Sequence, residues 1–287
     1  MQRYYRFAGV EYAIAAEKDA MFPEERSLAP FRVPSAENPH LFRIEKVDTL
    51  PEPAGKCIVQ EPALQIYDQG QVQWRYSGSV RDGLKKAYLC ARHEGKDHRV
   101  YVKRDVFPES VSTKVILEAM EAEHLIARAG GFVFHCSYID WQGKGILFTA
   151  PSETGKSTQA ELWHQLRGAE IINGDRAAVR IEQDRILAEG IPFSGSSVYC
   201  HNRSLPLAAV VYLAQAPVTT IRRLRGYEAF ARIWEGCSIN TWDREDMASV
   251  SESVRRVAET IPVFHMPCRP DETAVLALEN ALKEVGQ

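Results

Sequence analysis

Two patterns of apolar residues divide the chain. Within roughly the first hundred residues, some segments alternate apolar and polar side chains, which is typical of half-buried β-strands. Residues 64–67 and 72–76 alternate in this way around an Asp-Gln-Gly turn at 68–70, and this predicts a β-hairpin. A second hairpin is predicted for residues 87–90 and 100–102.

The change of pattern sets the predicted domain boundary. Proline recurs between residues 22 and 54, so no long helix can form there. We therefore predict that residues 1–107 form a small, mainly antiparallel β domain. Apolar residues from 109 to 129 then recur at a helical period, and two glycines end this helix. We expect residues 108–287 to form the second domain, beginning at or near this helix.

Strands and helices alternate in the second domain. Residues 132–139 predict a strand, and a turn near 142 and 143 leads into a compact apolar strand at 145–149. A helix is predicted from 157 to 166, followed by a short strand that begins at 170. Further strands are predicted at 207–213, 219–224 and 262–266, and further helices at 227–234, at 246–260 and from the capping residue Asp271 to 285.

The segment between the apolar strand and its helix carries the most specific chemistry. Residues 150–158 read Ala-Pro-Ser-Glu-Thr-Gly-Lys-Ser-Thr, which fits the phosphate-binding loop pattern with alanine in the first position. The N–H groups of such a loop surround a phosphate, and Gly155 allows a close approach. Lys156 brings a positive charge to the outer phosphates, and the Ser157 hydroxyl can bind Mg²⁺.

The N-terminus of the following helix adds a partial positive charge. We therefore predict that a nucleotide binds to this loop. The residues expected to contact it are Ser152, Glu153, Thr154, Gly155, Lys156, Ser157 and Thr158.

Two further side chains are expected near the loop. With a turn at 142–143, His135 lies opposite Ala150 across the predicted hairpin. The strand after the helix ends at Asp175, and a strand, helix, strand order implies a parallel crossover that brings Asp175 to the edge of the sheet carrying the loop. A carboxylate there can hold Mg²⁺ or accept a proton from a hydroxyl. A structural role for His135 and a turn role for Asp175 stay open.

The motifs together resemble a known family. His135, the turn at 140–145, the loop at 150–158 and the Asp-Arg pair at 175–176 follow the order and spacing of the C-terminal domain of HPr kinase/phosphorylase. The resemblance covers residues 130–182 well and the remainder weakly. It implies an α/β P-loop kinase core, related in architecture to phosphoenolpyruvate carboxykinase, that transfers the γ-phosphate of ATP to a hydroxyl.

The resemblance also implies roles for individual residues. By position, Lys156 binds phosphates, Ser157 binds Mg²⁺, Asp175 is the base or a metal-linked acid, and His135 assists nearby. The chain departs from the family at Gly174, which replaces the first of two adjacent acids, and it lacks a recognisable Glu-Arg-Gly-Leu-Gly segment. Residues 191–195 resemble the Pro-aromatic-x-Gly element of shorter HPr-kinase-like proteins.

We therefore predict a kinase that uses ATP and Mg²⁺ and phosphorylates a hydroxyl of a protein, a peptide or a small metabolite. Asp175, His135 and Lys156 are the predicted catalytic residues, and Ser157 and Asp175 the predicted metal ligands. The missing acid motivates one alternative, a nucleotide-binding sensor or partner protein without transfer activity. Architecture alone suggests another, a carboxykinase-like enzyme, although fold is poor evidence for a reaction.

Composition narrows the expected partners. The net charge of −3 argues against a broad surface for nucleic acid or an anionic membrane, and we found no apolar stretch long enough for a membrane helix. Six cysteines without a Cys-x-x-Cys pair favour reduced thiols in the cytoplasm. Arg222, Arg223 and Arg225 form a basic cluster, either a solvated face or a contact for a substrate phosphate. The sequence leaves open whether the chain forms a homo-oligomer.

Overall fold

The computed structural model describes residues 1–17, 21, 25–79, 83–106 and 112–286. The chain divides into two compact units. The N-terminal unit comprises Met1–Arg6 and Val10–Ala122, and the C-terminal unit comprises Phe7–Gly9 and Glu123–Gln287. The predicted boundary between residues 107 and 108 lies outside the described residues.

A nine-stranded sheet dominates the N-terminal unit, with helix α1 at Thr113–Ala119. Its strands are β1 Gln2–Phe7, β2 Val10–Ala16, β3 Arg32–Val33, β4 His40–Val47, β5 Lys56–Glu61, β6 Leu64–Asp68, β7 Val72–Ser79, β8 Gly83–Glu94 and β9 Asp97–Lys103. They follow the order β3-β1-β2-β4-β9-β8-β7-β6-β5. Both predicted hairpins are confirmed, as β6–β7 and β8–β9. The sheet is mixed, because β4 pairs in parallel with both β2 and β9.

Among the described residues, ten strands and five helices belong to the C-terminal unit, except for Ala122 at the start of α2. The strands are β10 Gly131–His135, β11 Ser137–Trp141, β12 Lys144–Thr149, β13 Glu170–Asn173, β14 Arg176–Glu182, β15 Arg185–Gly190, β16 Ser204–Gln215, β17 Arg222–Leu224, β18 Cys237–Ser238 and β19 Val263–Cys268. The helices are α2 Ala122–Arg128, α3 Lys156–Arg167, α4 Gly226–Trp234, α5 Arg244–Thr260 and α6 Glu272–Glu284.

The segment predicted as one helix over 109–129 forms two, α1 and α2. Glu121 lies between them with a φ of 51°, a left-handed conformation that interrupts a right-handed helix. The later helices agree closely with the prediction. The Asp271 carboxylate accepts a hydrogen bond from the Thr273 N–H at 3.0 Å, which confirms the predicted cap of α6.

Strand β12 lies in the middle of the C-terminal sheet and is covered on both faces. Ile146 and Phe148 pack into the cluster that contains Trp163 of α3 and Leu278 of α6. Leu147 points to the other cluster, which is completed by α4 and α5. Successive strand residues point to opposite faces, so an uninterrupted apolar run requires cover on both sides. The apolar pattern of β12 therefore reflects complete burial.

Strand direction brings several loop ends to one edge of the sheet. β16 pairs in parallel with β12 and with β19. β12 and β13 both run antiparallel to β11, which lies between them, so they are parallel to each other. The carboxyl ends of all four parallel strands thus meet at one edge, where α/β proteins bind ligands. The predicted crossover is confirmed, with one strand intervening.

One predicted strand proves to be two. The run at 132–139 breaks at Cys136, because β10 bonds to β14 and β18 whereas β11 bonds to β12 and β13. The turn at 142–143 is confirmed, since Trp141 pairs with Lys144. His135 is paired with Arg176, however, and the predicted pairing with Ala150 is wrong. Within the described residues, no helix combines the length and the apolar character needed to cross a membrane.

Candidate functional site

Two residues of the loop between β12 and α3 have left-handed backbone conformations. Gly155 is the residue before α3 and has φ 115° and ψ 22°, a backbone conformation that residues other than glycine rarely adopt. Glu153 also has a positive φ, 63°. A Cβ added to Gly155 would meet nothing closer than Thr158 at 4.0 Å. The glycine is therefore required for its backbone conformation, and the space beside it is open.

Lys156 is the first residue of α3 and its side chain is buried. The Nζ atom donates hydrogen bonds to the carbonyl oxygens of Ala150 at 3.0 Å and Pro151 at 3.3 Å. Burial lowers the pKa of this ammonium, while the Asp175 carboxylate acts in the opposite direction. A bound phosphate would favour the charged form, because an opposite charge at short range raises the pKa of a lysine.

His135 and Asp175 lie side by side at the end of β10 and just after β13. The distance from His135 Nδ1 to Asp175 Oδ1 is 3.8 Å. The His135 carbonyl accepts a hydrogen bond from the Thr149 hydroxyl at 3.0 Å, so this pair adjoins the end of β12. Burial lowers the pKa of the His135 imidazole, Lys156 lowers it further, and Asp175 opposes both. The structure therefore brings together the three residues predicted to be catalytic.

A buried asparagine, which sequence reasoning missed, holds Asp175 in place. Asn173 is fully buried, and its Oδ1 accepts hydrogen bonds from the backbone N–H of Asp175 at 2.9 Å and Arg176 at 3.1 Å. Its Nδ2 donates to the carbonyl oxygens of Ile191 at 3.0 Å and Phe193 at 3.1 Å. The Asn-Gly-Asp order typical of an Asx turn was its only local signal.

Removal of this amide should destabilise the C-terminal unit. Replacing Asn173 with alanine leaves two backbone donors and two carbonyls without their partner, so we expect the free energy of unfolding to fall by about 2 to 4 kcal/mol. Urea denaturation measures this change. Asn280 is exposed on α6, and its replacement by alanine should change the free energy by less than about 0.5 kcal/mol. Equal values for the two variants would contradict the assigned role.

The segment that follows β15 lies against the Asp175 carboxylate. Gly195 has a φ of 53°, and an added Cβ would lie 2.8 Å from Asp175 Cγ and 3.0 Å from both carboxylate oxygens. Arg176 lies over the Phe193 ring at 5.6 Å from its centroid and pairs with Glu123 Oε1 at 2.8 Å. A Cβ on Gly174 would overlap the Ser197 hydroxyl. A side chain at position 174 would therefore require Ser197 to move.

The close approach of Gly195 gives a test of the Asp175 geometry. Gly195→Ala should displace the carboxylate and lower the rate of the site's reaction by roughly 10- to 100-fold, because small displacements of reacting groups cost that much. Gly143→Ala is the matched control, since Gly143 also has a positive φ, 77°, with nothing within 4 Å of an added Cβ. Both variants should lose about 1 kcal/mol of stability from backbone strain. Loss of rate in both would point to strain alone.

The other residues predicted to contact the nucleotide differ in their exposure to solvent. Ser152, Glu153, Ser157 and Thr158 are exposed, whereas Thr154 and Gly155 are partly buried. In the arginine cluster, the Arg222 guanidinium donates a hydrogen bond to the Glu228 carboxylate at 2.9 Å.

Cys136 is a structural thiol despite its place beside His135. Its side chain is fully buried and its Sγ donates to the Phe134 carbonyl at 3.4 Å. Burial raises the pKa of this thiol, so the thiolate needed for nucleophilic attack is disfavoured.

A separate group of three possible metal ligands is already paired with an arginine side chain. His124, Asp243 and Asp246 offer ligand atoms within 4.8 Å of one another. The Arg128 guanidinium lies 3.1 Å from Asp246 Oδ1 and 3.4 Å from Asp243 Oδ2. The Asp243 carboxylate also caps α5 through the N–H groups of residues 245 and 246. This group therefore joins α2 to α5 through ion pairs.

Comparison with known proteins gives a distant structural similarity. Among 79 chains of solved structures that match is the HPr(Ser) kinase/phosphatase from Coxiella burnetii, with a TM-score of 0.34 and 11% sequence identity. The alignment covers 53% of this chain and 97% of that one. No protein-family model matches the chain, and no curated protein is similar to it in sequence. Similarity at this level assigns neither an activity nor a site residue.

Proposed function

We propose that the C-terminal unit is a kinase that binds ATP with Mg²⁺ and transfers the γ-phosphate to a hydroxyl group. One observation carries the proposal. A loop with a left-handed glycine and a buried lysine opens a helix at the sheet edge where His135 and Asp175 also lie. Backbone N–H groups, a lysine and a carboxylate are the groups that phosphoryl transfer requires.

The loop fits a phosphate chain on two grounds. Space beside Gly155 is open, so the backbone can approach a ligand. Lys156 has only carbonyl oxygens as hydrogen-bond partners in the described structure, and phosphate oxygens can replace them. Ser157 and Asp175 would hold Mg²⁺, which would neutralise charge on the phosphates when bound.

Each residue then has a defined task. The loop and Lys156 hold the phosphates and stabilise the charge that develops on the transferred group. Asp175 orients the acceptor hydroxyl and accepts its proton as the new phosphoester bond forms, while the bond between the β- and γ-phosphates of ATP breaks and ADP leaves. His135 lies 3.8 Å from that carboxylate, and its lowered pKa favours the neutral ring, so it assists nearby without cancelling the charge of Asp175. The acceptor class is a serine or threonine of a protein or peptide, or a hydroxylated metabolite.

A second candidate function is nucleotide binding without transfer. It is favoured by Gly174, which stands where the family pattern has a second acid and where an added Cβ would require the Ser197 side chain to move. A site with one carboxylate has less capacity to hold Mg²⁺ and to accept a proton at the same time.

Transfer of labelled phosphate distinguishes the two candidates. The protein is incubated with Mg²⁺ and ATP labelled at the γ-phosphate, together with serine and threonine peptides or hydroxylated metabolites. A kinase yields a labelled ester whose formation requires Mg²⁺. Nucleotide binding with no transfer to any acceptor or to water would support the second candidate, and absence of nucleotide binding would contradict both.

A further inference from the structure

Three histidines of the N-terminal unit lie in direct contact inside the sheet, and we call them the histidine chain. His40 Nδ1 lies 3.0 Å from His98 Nε2, and His98 Nδ1 lies 3.0 Å from His93 Nδ1. His93 and His98 are 7% and 3% exposed, and His40 is partly buried. The strand register explains the cluster, because His98 of β9 is paired with His93 of β8 and with Phe42, two residues after His40 in β4. Paired and alternate residues share one face of a sheet.

An ion pair adjoins one end of the histidine chain. His93 Nε2 lies 3.7 Å from Glu121 Oε2. Glu121 Oε1 accepts a hydrogen bond from Arg75 at 2.8 Å, and both side chains of this pair are largely buried. Phe42 stacks on the middle ring, His98, with the ring centroids 4.2 Å apart. The chain therefore runs through apolar surroundings to a carboxylate whose charge is balanced by an arginine.

The other titratable groups nearby are neutral or point away. Tyr12 of β2 stacks against Phe42, and burial raises the pKa of its hydroxyl, so it stays neutral. The charged residues at alternate positions of β4, β8 and β9 lie on the opposite face, where they pair as Arg43–Asp97, Arg99–Glu45 and Arg92–Glu94. On α1, Lys114 and Glu118 pair with each other in solvent. Among the described residues, Glu121 and Arg75 are thus the charges that face the histidine chain.

The two short contacts limit the number of protons that the folded chain can hold. A nitrogen-to-nitrogen distance of 3.0 Å is a hydrogen bond with one hydrogen between the rings, because two N–H groups that face each other repel. The two contacts hold one hydrogen each, and the outer nitrogens of His40 and His93 hold at most one each. Three neutral rings need three of these four hydrogens. The folded chain therefore accepts one extra proton, and a second one must break a contact.

The unfolded state has no such limit. A histidine in water takes up a proton near pH 6.5, so each of the three rings can bind its own. The unfolded state then binds up to two more protons than the folded one. Because stability rises with pH wherever the unfolded state binds more protons, the stability of the N-terminal unit should fall as the pH falls below about 6.5.

We propose that the histidine chain is a pH-sensitive switch, which keeps the N-terminal unit closed at neutral pH and opens it in mildly acidic solution. Opening also loosens the bend between α1 and α2. Glu121 has a φ of 51° there, a strained conformation that its contacts with Arg75 and His93 help to hold. The switch is independent of the proposed kinase function, because all its residues belong to the N-terminal unit.

Hydrogen exchange on the full-length protein tests the switch. Exchange of the amides of β8 and β9 is followed by mass spectrometry at pH 7.5 and 5.5 and corrected for the intrinsic exchange rate. We expect the equilibrium constant for opening to be about 100-fold larger at pH 5.5, about tenfold for each of the two excess protons. Equal constants at the two pH values would overturn the proposal.

A substitution distinguishes the switch from a purely structural role. In His40→Gln the amide can still bond to His98 but does not titrate, so one excess proton remains and the increase should drop to about tenfold. His201→Gln, at an exposed position of the C-terminal unit, should keep the 100-fold increase. If His40→Gln opens more readily at both pH values but keeps the same ratio, the proposal is wrong.

Addition of Zn²⁺ distinguishes the switch from a metal site, since neutral histidine nitrogens are also zinc ligands. One equivalent of Zn²⁺ at pH 7.5 should leave the exchange of β8 and β9 unchanged. Slower exchange with Zn²⁺, lost in His40→Gln, would identify a metal site and overturn the proposal.

Discussion

Replacing Lys156 with methionine should lower turnover of ATP by at least roughly 100-fold, because removing a single charge-stabilising group from a transfer site has that effect. The ammonium is the cation closest to the loop carbonyls of Ala150 and Pro151 among the described contacts. Methionine keeps most of the buried alkyl chain, so the fold of α3 is retained while the charge is lost. Steady-state turnover and ATP binding are both measured, and we expect both to fall.

Lys283→Met provides the control for this prediction. Lys283 is exposed on α6 and pairs with Glu279, so its replacement removes the same charge from the chain without touching the loop. Circular dichroism confirms that each variant is folded. Unchanged turnover in a folded Lys156→Met variant would show that Lys156 and its loop do not take part in ATP turnover.

Asp175→Asn should separate binding from transfer. The two side chains have the same shape, and the hydrogen bonds from the Asp175 N–H to Asn173 and from the Cys136 N–H to the Asp175 carbonyl involve only backbone atoms of residue 175. We therefore expect ATP, measured without Mg²⁺, to bind within a few-fold of the original affinity. Transfer to the acceptor should fall by roughly 10² to 10⁴-fold, the range for loss of a general base.

The matched control is Asp184→Asn, at an exposed position in the turn between β14 and β15. It should leave both binding and transfer unchanged. Transfer at the original rate by Asp175→Asn would show that this carboxylate is not the base. In that case His135→Asn becomes the next variant to measure, because His135 is its titratable neighbour at 3.8 Å.

Local patterns were enough to predict most elements of the C-terminal unit. The apolar run of β12, the helical period of α3 and the cap at Asp271 each depend on a few adjacent residues, and the structure has all three. The same holds for the hairpins β6–β7 and β8–β9, whose turns are short. The strand and helix on either side of the phosphate loop therefore follow from residues close to it in sequence.

Strand partners and strand directions were harder to predict. The break at Cys136 is not marked by a turn residue, and large apolar side chains continue beyond it at Tyr138 and Ile139. It is visible only from the pairing of β10 with β14 and of β11 with β12. Likewise, the parallel pairing of β4 with β2 and β9 joins segments far apart along the chain. Alternation predicts which face of a strand is buried, and it carries no information about the neighbouring strand.

The surroundings of Asp175 were hidden for the same reason. Its predicted position at the sheet edge needed only the order strand, helix, strand. The contact with Gly195 and the Asn173 hydrogen bonds to Ile191 and Phe193 join two segments whose meeting depends on the hairpin β14–β15 between them. From the sequence alone, a glycine or an asparagine in such a segment cannot be distinguished from an ordinary turn residue.

Whether the phosphate loop binds ATP is best measured by calorimetric titration of the unaltered protein, with and without Mg²⁺. We expect saturable binding of one ATP per chain that is strengthened by Mg²⁺, because the loop, Lys156 and Ser157 act on the phosphates and their metal together. A folded protein that binds no nucleotide under either condition would show that the proposed kinase function is wrong.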